Sequence, residues 1–515
     1  MSDKSSGNDL NAKIQNKLDQ EQRQIGAALA ESDSRFSEAD IYKAAVSQQD
    51  GDAWLFCQLY KNILVYDHAA AKWYEWKGHY WEEDKVEEVT RKLDAVIDIY
   101  GREASEWSWK KLAALRQGEM QDADKAERRE KEYLKKISTL QKRRWKEDVL
   151  RLAAAGKQSL GITGEEWDNI PYLLPCINGI IELQTGNFRP GKQTDFIKTV
   201  CPSQWKGLYE PCPAWEQFLH EIFGDSSLPP FLRRLCGYAA AGVPTKHILP
   251  IFWGHGRNGK GTFFNLLHHT IGPLAGPVQA EILLEQRQFR SSSSPNSDIM
   301  ALRGKRIVWA SETDEGRKLN AGKAKWLSGD DLLCGREPYG KREINFKPTH
   351  ILFLQTNHKP KADPNDFALW QRLHLIPFTM SFIDNPNPLK PDEKKQDHML
   401  PEKLKAEASG ILAWLVRGFL EWQEQGLNPP KIVQEATEEY QEGEDILGHF
   451  ISDSCILGSG RQVKAGDLYQ AYSQWCNENG HKSISGTKFG ERMKERYEHK
   501  KTMGYIFYYG IGLKI

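Results

Sequence analysis

HILPIFWGHGRNGKG, residues 247–261, decides the fold class. Ile248–Trp253 is an unbroken apolar run, the pattern of a strand buried on both faces of a parallel sheet. Pro250 has no N–H to give a ladder, so pairing is expected to begin there or after it. The run feeds into Gly254-His255-Gly256-Arg257-Asn258-Gly259-Lys260, and Thr262-Phe-Phe-Asn-Leu-Leu continues at helical spacing. Strand, glycine loop and helix in that order are the context a phosphate-binding loop requires. Glycines let consecutive backbone N–H groups turn inward, the helix start adds its positive end, and Lys260 brings a point charge to the β/γ phosphates. Gly254 through Thr262 are therefore the expected ATP-binding residues. One departure stands out. The Mg²⁺-ligating hydroxyl normally follows the lysine directly, but that position is Gly261, which leaves Thr262 as the candidate for metal or phosphate contact.

Downstream, Ile307–Ala310 is a second short buried-strand run, and it leads to Glu312. An acid at that end can polarise an attacking water or hold the Mg²⁺ shell. Asp314 follows, and with no adjacent acidic pair the division of roles between the two is open. Thr349–Asn357 (THILFLQTN) is a third strand ending in an amide that can orient the lytic water. Arg372 precedes another apolar run, Leu373–Phe378; it can stabilise transition-state charge in a neighbouring subunit's site or serve a structural ion pair.

Upstream, residues 1–50 read as a polar tail or linker. Ala53–Leu64 has helical spacing, and the aromatic run Trp73–Trp81 is interrupted by Lys77-Gly78, a tight-hairpin signal. Asp122–Arg151 mixes charges of both signs at helical spacing, as a solvated or bracing helix does. Asn178-Gly179 and Thr185-Gly186 punctuate short strands, Pro202–Pro213 reads as a linker, and Trp215–Ala241 is helical. At the carboxyl end, Asp467–Asn477 is amphipathic. Ser485–Tyr497 is a second helix with Lys488, Arg492, Lys494 and Arg496 outside, and Tyr505–Leu513 is strand material. Together these make a winged helix-turn-helix, suited to duplex DNA or to a protein contact.

A chain of 515 residues holds roughly two to four domains. The expected divisions are 1–50, 51–212, 213–430 and 431–515. No stretch approaches the roughly 20 apolar residues of a membrane span, and the amino terminus lacks a signal-peptide core, which points to the cytoplasm. Eight cysteines without a zinc-type spacing read as buried reduced thiols. With 70 basic and 70 acidic side chains there is no global field for DNA, so a nucleic-acid partner must be held by local patches.

The series GHGRNGKGTF, RIVWASET, KWLSGDDLLCGREPYGKREINFKPT, ILFLQTNHKP and WQRLHLIPF resembles the helicase region of phage and plasmid primase-helicases, across roughly 215–382. That group belongs to superfamily 3. The resemblance implies an α/β fold with an AAA+-like parallel-sheet core, preceded by an α+β helicase-associated domain and followed by a winged helix. It implies an ATP- and Mg²⁺-dependent DNA helicase: a homo-oligomer, a hexameric ring, threading one strand and loaded at a fork or origin duplex. In such a ring Lys260, Thr262, Glu312 and Asn357 come from one protomer and Arg372 from its neighbour. Lys325 lies in a segment matching the family. Gly335–Lys347 reads as a hairpin turning at Tyr339-Gly340, with Arg336, Lys341 and Arg342 set toward a central channel; Lys488 and Arg492 would serve duplex DNA. Too few residues precede the helicase-associated region for a primase domain, so a separately encoded primase or polymerase is the expected partner. The alternative is an initiator or loader with little or no ATPase activity.

Overall fold

The computed structural model describes residues 36–286, 296–312, 314–336 and 343–514. At its centre lies a mixed α/β unit around a five-stranded sheet. The strands are β1 (Leu249–Trp253), β2 (Ala275–Val278), β3 (Ile307–Glu312), β4 (Ile351–Thr356) and β5 (Leu373–Pro377), in the order β5-β1-β4-β3-β2. Every neighbouring pair is parallel. Side chains alternate between the two faces of a strand, and here each face has its own core. Phe252, Ile307, Trp309 and Phe353 pack on one side with the helices Pro213–Phe223, Leu228–Ala240, Lys260–Ile271 and Ala408–Gln425. Ile251, Val308, Ala310, Leu352 and Leu354 pack on the other with Leu283, Leu327 and Trp370. Two apolar faces are why these strands read as unbroken runs.

Pro250 sits inside β1, opposite His374 of β5. The Leu249 N–H donates toward β5, to the Arg372 carbonyl. Successive residues alternate sides, so the missing N–H of Pro250 falls on the β4 side, where pairing starts only at Ile251. The proline thus costs the sheet no hydrogen bond.

The amino-terminal part corrects the tail reading for its described residues. Helix Glu38–Val46 is capped by Ser37 and buries Ile41, Ala44 and Ala45, the i, i+3, i+4 stripe of a short packed helix. Helix Gln48–Tyr60 follows, then a sheet in which Trp76 pairs with Trp81 across the Lys77-Gly78 turn. The charged segment, read as a solvated or bracing helix, is divided between two helices, the first of which forms a hairpin with the helix before it. Asp94–Gln117 ends at left-handed Gly118, Met120–Leu140 returns, and Arg143–Ala153 turns away. Its burial is specified by Asp52, fully enclosed, which accepts from Tyr100 Oη at 2.9 Å and Trp145 Nε1 at 2.8 Å and pairs with Lys136 Nζ at 2.9 Å. The strands Leu173–Cys176, Gly179–Glu182 and Asn187–Arg189 form an antiparallel sheet that turns at the expected glycines. The 202–212 stretch is more than a linker, since Ser203, Trp205 and Cys212 are buried.

The carboxyl-terminal part has helices Ile446–Ser454, Ala465–Glu478 and Gly486–Arg496. They pack on a three-stranded antiparallel sheet in which Tyr505–Leu513 lies between Cys455–Lys464 and His499–Thr502. No helix among the described residues is long and apolar enough to cross a membrane.

Candidate functional site

The glycine loop leaves the carboxyl end of β1, where open parallel sheets bind their ligands. Gly254 is pinned there: a Cβ would lie 2.2 Å from the Phe378 carbonyl oxygen and 2.7 Å from Asn258 Nδ2. Gly259, at φ 87°, turns the chain into the helix Lys260–Ile271, and a Cβ on it would meet Ile222 at 2.7 Å. Arg257 also adopts a left-handed φ of 61° and accepts from the Phe382 N–H at 2.7 Å. Gly256 and Gly261 face open space. The loop is thus fixed at both ends and clear along its exposed middle, where His255, Gly256 and Arg257 are exposed.

Lys260 is 3% exposed. Its Nζ donates to the Gly254 carbonyl at 2.5 Å, the His255 carbonyl at 3.4 Å and Asn357 Oδ1 at 3.3 Å. All three acceptors are neutral, and burial pulls its pKa down to about 8. A buried ammonium with only neutral partners gains from an anion. This donor set fits a polyphosphate.

Asn357 follows β4 directly, and Thr356 at the end of β4 stands opposite Glu312 at the end of β3. The two strand-end residues read from the sequence therefore share one sheet edge with the loop. Glu312 accepts from the Asp314 N–H at 2.8 Å, and Arg317 Nε lies 3.9 Å from its other oxygen. Asp314 is exposed, so Glu312, with its side chain 10% exposed, is the better-placed acid. Thr262 lines a cavity of about 210 Å³ with Phe218, Arg257, Gly259, Phe382 and His398. On the other flank a cleft of about 620 Å³ is bounded by His255, Asn357, Lys359 and Glu444. Phe382 and His398 carry no motif, and only folding reveals them.

Arg372 stands apart. It precedes β5, whose Leu373 is level with Leu249 at the start of β1, so it lies at the opposite edge of the sheet from the loop. Its guanidinium reaches the Ala368 carbonyl at 2.6 Å and His247 Nδ1 at 3.3 Å. It cannot serve the loop of its own chain.

The basic candidates divide. Leu333–Gly335 and Ile344–Phe346 pair antiparallel, Gly335 opposite Ile344, as a hairpin requires, and Arg336 follows the first strand. The turn assigned to Tyr339-Gly340, with Lys341 and Arg342, lies outside the described residues. Lys325 pairs with Asp366 at 2.9 Å. Arg492 Nη2 reaches Asp363 Oδ1 at 2.6 Å, and Lys488 Nζ reaches Oδ2 of the same acid at 3.5 Å. Three residues read as DNA contacts thus meet carboxylates of the loop that follows Asn357. No sequence signal marked those partners.

Residues 53–224 match the family described as D5 N terminal like, and residues 442–508 match the family described as Poxvirus D5 protein-like. The chain carries both D5-type regions. It is 27% identical over 446 residues to "Putative helicase L207/L206" of Acanthamoeba polyphaga mimivirus, covering 83% of this chain and 45% of that protein. It is 24% identical over 332 residues to the "Putative primase" of African swine fever virus, covering 61% and 34%. The chain spans less than half the length of these curated relatives. Among solved structures, the apo C-terminal region of NrS-1 is 15% identical and covers 59% of this chain and 76% of that one, with a TM-score of 0.36. The two matched regions flank the glycine loop and the parallel sheet, which lie between residues 249 and 377.

Proposed function

We propose that the D5-type chain is an ATP-driven DNA helicase or translocase of superfamily 3, with an AAA+-like core between a helicase-associated domain and a winged helix. The observation that carries this is the contact of Lys260 with Asn357, at the sheet edge where Glu312 ends the adjacent strand. Lys260 and the loop N–H groups would hold the phosphates, and Thr262 and Glu312 are the residues that would hold Mg²⁺, which would neutralise phosphate charge; Glu312 would take up the proton of the attacking water and Asn357 would orient it. ATP with Mg²⁺ supplies the phosphoryl group that is transferred.

The position of Arg372 supports a ring. It is remote from its own loop, so the nucleotide it would reach belongs to a second copy of the chain, as in a closed cyclic assembly. The paired strands Leu333–Gly335 and Ile344–Phe346, with Arg336 after the first, are assigned to the threaded strand, and the helicase and primase names of the viral relatives agree with work on nucleic acid. A separate primase or polymerase is the natural partner of such a motor.

The test is DNA-stimulated ATP hydrolysis. Wild-type protein should hydrolyse ATP faster with single-stranded DNA present, and Lys260→Ala should abolish it; identical rates for the two would sink the enzyme reading. Gly261, where a hydroxyl usually stands, favours the second reading, an initiator or loader with weak turnover. Forks tailed at 3′ or 5′ separate the two: ATP hydrolysis without strand displacement on either fork selects the loader.

A further inference from the structure

The segment after Asn357 is gripped from several sides. Its Lys361 N–H donates to the Arg317 carbonyl at 2.8 Å and its Lys361 carbonyl accepts from Leu319 at 2.9 Å, which ties it to the stretch following Glu312. Helix Lys431–Glu444 holds it next. Tyr440 Oη donates to the Pro360 carbonyl, Gln441 Nε2 donates to the Pro364 carbonyl at 3.0 Å, and Glu444 accepts from the Ala362 N–H at 3.0 Å. The far end is held by the basic helix Gly486–Arg496: Arg492 and Lys488 on Asp363, and Arg496 on Asn365 at 3.4 Å and on Asp445 at 2.8 Å.

These grips differ in kind. Arg492 is 14% exposed at its side chain and makes a short charge-assisted bond, whereas Lys488 is 51% exposed and makes a long one. Burial by itself would raise the Asp363 carboxyl. The Asn365 N–H and the charges of Arg492 and Lys488 outweigh burial and hold it below the usual carboxylate range. The Asp363 backbone carbonyl also accepts from Trp370 Nε1 at 2.8 Å, so the residue is anchored in the core that it links to the helix. An arginine spent in this way is poorly placed to hold a phosphodiester at the same time.

We propose that Arg492 is a positioning residue for the nucleotide site: by holding Asp363 it fixes loop 358–366, and so keeps Asn357 on Lys260 and the Glu312 strand end in register. The carboxyl-terminal region is then part of the ATPase scaffold and not a tethered DNA reader alone. This rests on the ATPase reading above. The order of loop 358–366 can be measured without turnover.

The experiment is a charge swap in the full chain. Arg492→Asp and Asp363→Arg should each lower DNA-independent kcat about tenfold, with KM for ATP changed less than about twofold, because the loop orients Asn357 while the phosphates are held elsewhere. The double variant should return to within about threefold of wild type, as paired residues do and unrelated ones do not. Arg492→Lys, which keeps the charge and loses the fork, should fall between. In parallel, amide hydrogen exchange without nucleotide should quicken across 357–366 in Arg492→Asp and not across 249–253. A double variant no better than the worse single, or singles that keep wild-type kcat while losing duplex DNA binding, would overturn the proposal. If Lys260→Ala matches wild type, the ATPase reading falls separately, and the exchange result still decides whether Arg492 orders the loop.

Discussion

Lys260 is the residue on which the site's electrostatics turn. Burial sets its pKa near the top of the physiological range, at about 8, and anionic phosphates favour its charged form. With ATP bound as proposed, Lys260 would hold its proton more tightly than in the free protein. ATP affinity should be full below pH 8 and decline as pH climbs from 8 toward the ordinary lysine value of 10.5. Binding of a fluorescent ATP analogue across that window checks the sign, and Lys260→Arg should flatten the profile. Stability of the nucleotide-free protein should move the other way and rise over the same window, because the unfolded chain carries a proton that the folded chain has shed. The missing hydroxyl is testable at the neighbouring residues. A Cβ at Gly261 meets nothing within 4 Å, so Gly261→Ser should fold normally. Thr262→Ala should lower kcat/KM for Mg·ATP about tenfold, ~1.4 kcal/mol, and Gly261→Ser in the same chain should restore most of it. An unchanged Thr262→Ala would remove Thr262 from the proposed metal site.

Among the elements, the helices Leu228–Ala240 and Ala408–Gln425 bring the sheet's cover together backbone to backbone. A Cβ at Gly418 would sit 1.9 Å from the Arg233 carbonyl oxygen, and one at Gly237 would sit 2.2 Å from the Phe419 nitrogen. The nearest atoms at both positions are backbone and cannot swing aside, so the pair must separate. Gly418→Ala should cost about 1–3 kcal/mol, read as a lower melting temperature, as overpacking does. Gly443, in helix Lys431–Glu444 with open space at its Cβ, is the control. There alanine should gain about 0.5–1 kcal/mol from the unfolded-state entropy it removes. Helix spacing read Trp215–Ala241 as one helix, which the structure divides at Gly224 into Pro213–Phe223 and Leu228–Ala240; the glycine contact was not legible, because its partner is carried on a helix far along the chain.

For the whole molecule, the decisive fact is that Arg372 and the glycine loop occupy opposite edges of one sheet. If subunits meet so that one edge faces the next, Lys260→Ala and Arg372→Ala will each be inactive alone but active when mixed. In a random 1:1 ring roughly a quarter of interfaces pair an intact loop with an intact arginine. ATPase activity of the mixture above that of either variant is the expected result. A mixture as inactive as its parts would return Arg372 to a structural role.

Taken by itself, the sequence determined the elements whose signals are local. Ile248–Trp253 and Ile307–Ala310 had to be doubly buried strands because each face met its own core, and the glycine loop, Glu312 and Asn357 followed from their positions at strand ends. The Lys77-Gly78 turn was legible for the same reason, as a short-range conformational requirement. What only the tertiary structure decided was the partner of each charge. Lys325 and Arg492 looked like free cations because charge carries no address, and their carboxylates lie 41 and 129 residues away. The burial of helix Glu38–Val46 and of Lys136 on Asp52 escaped for a related reason: a polar sequence reads as solvated until folding supplies the acid or apolar surface that encloses it.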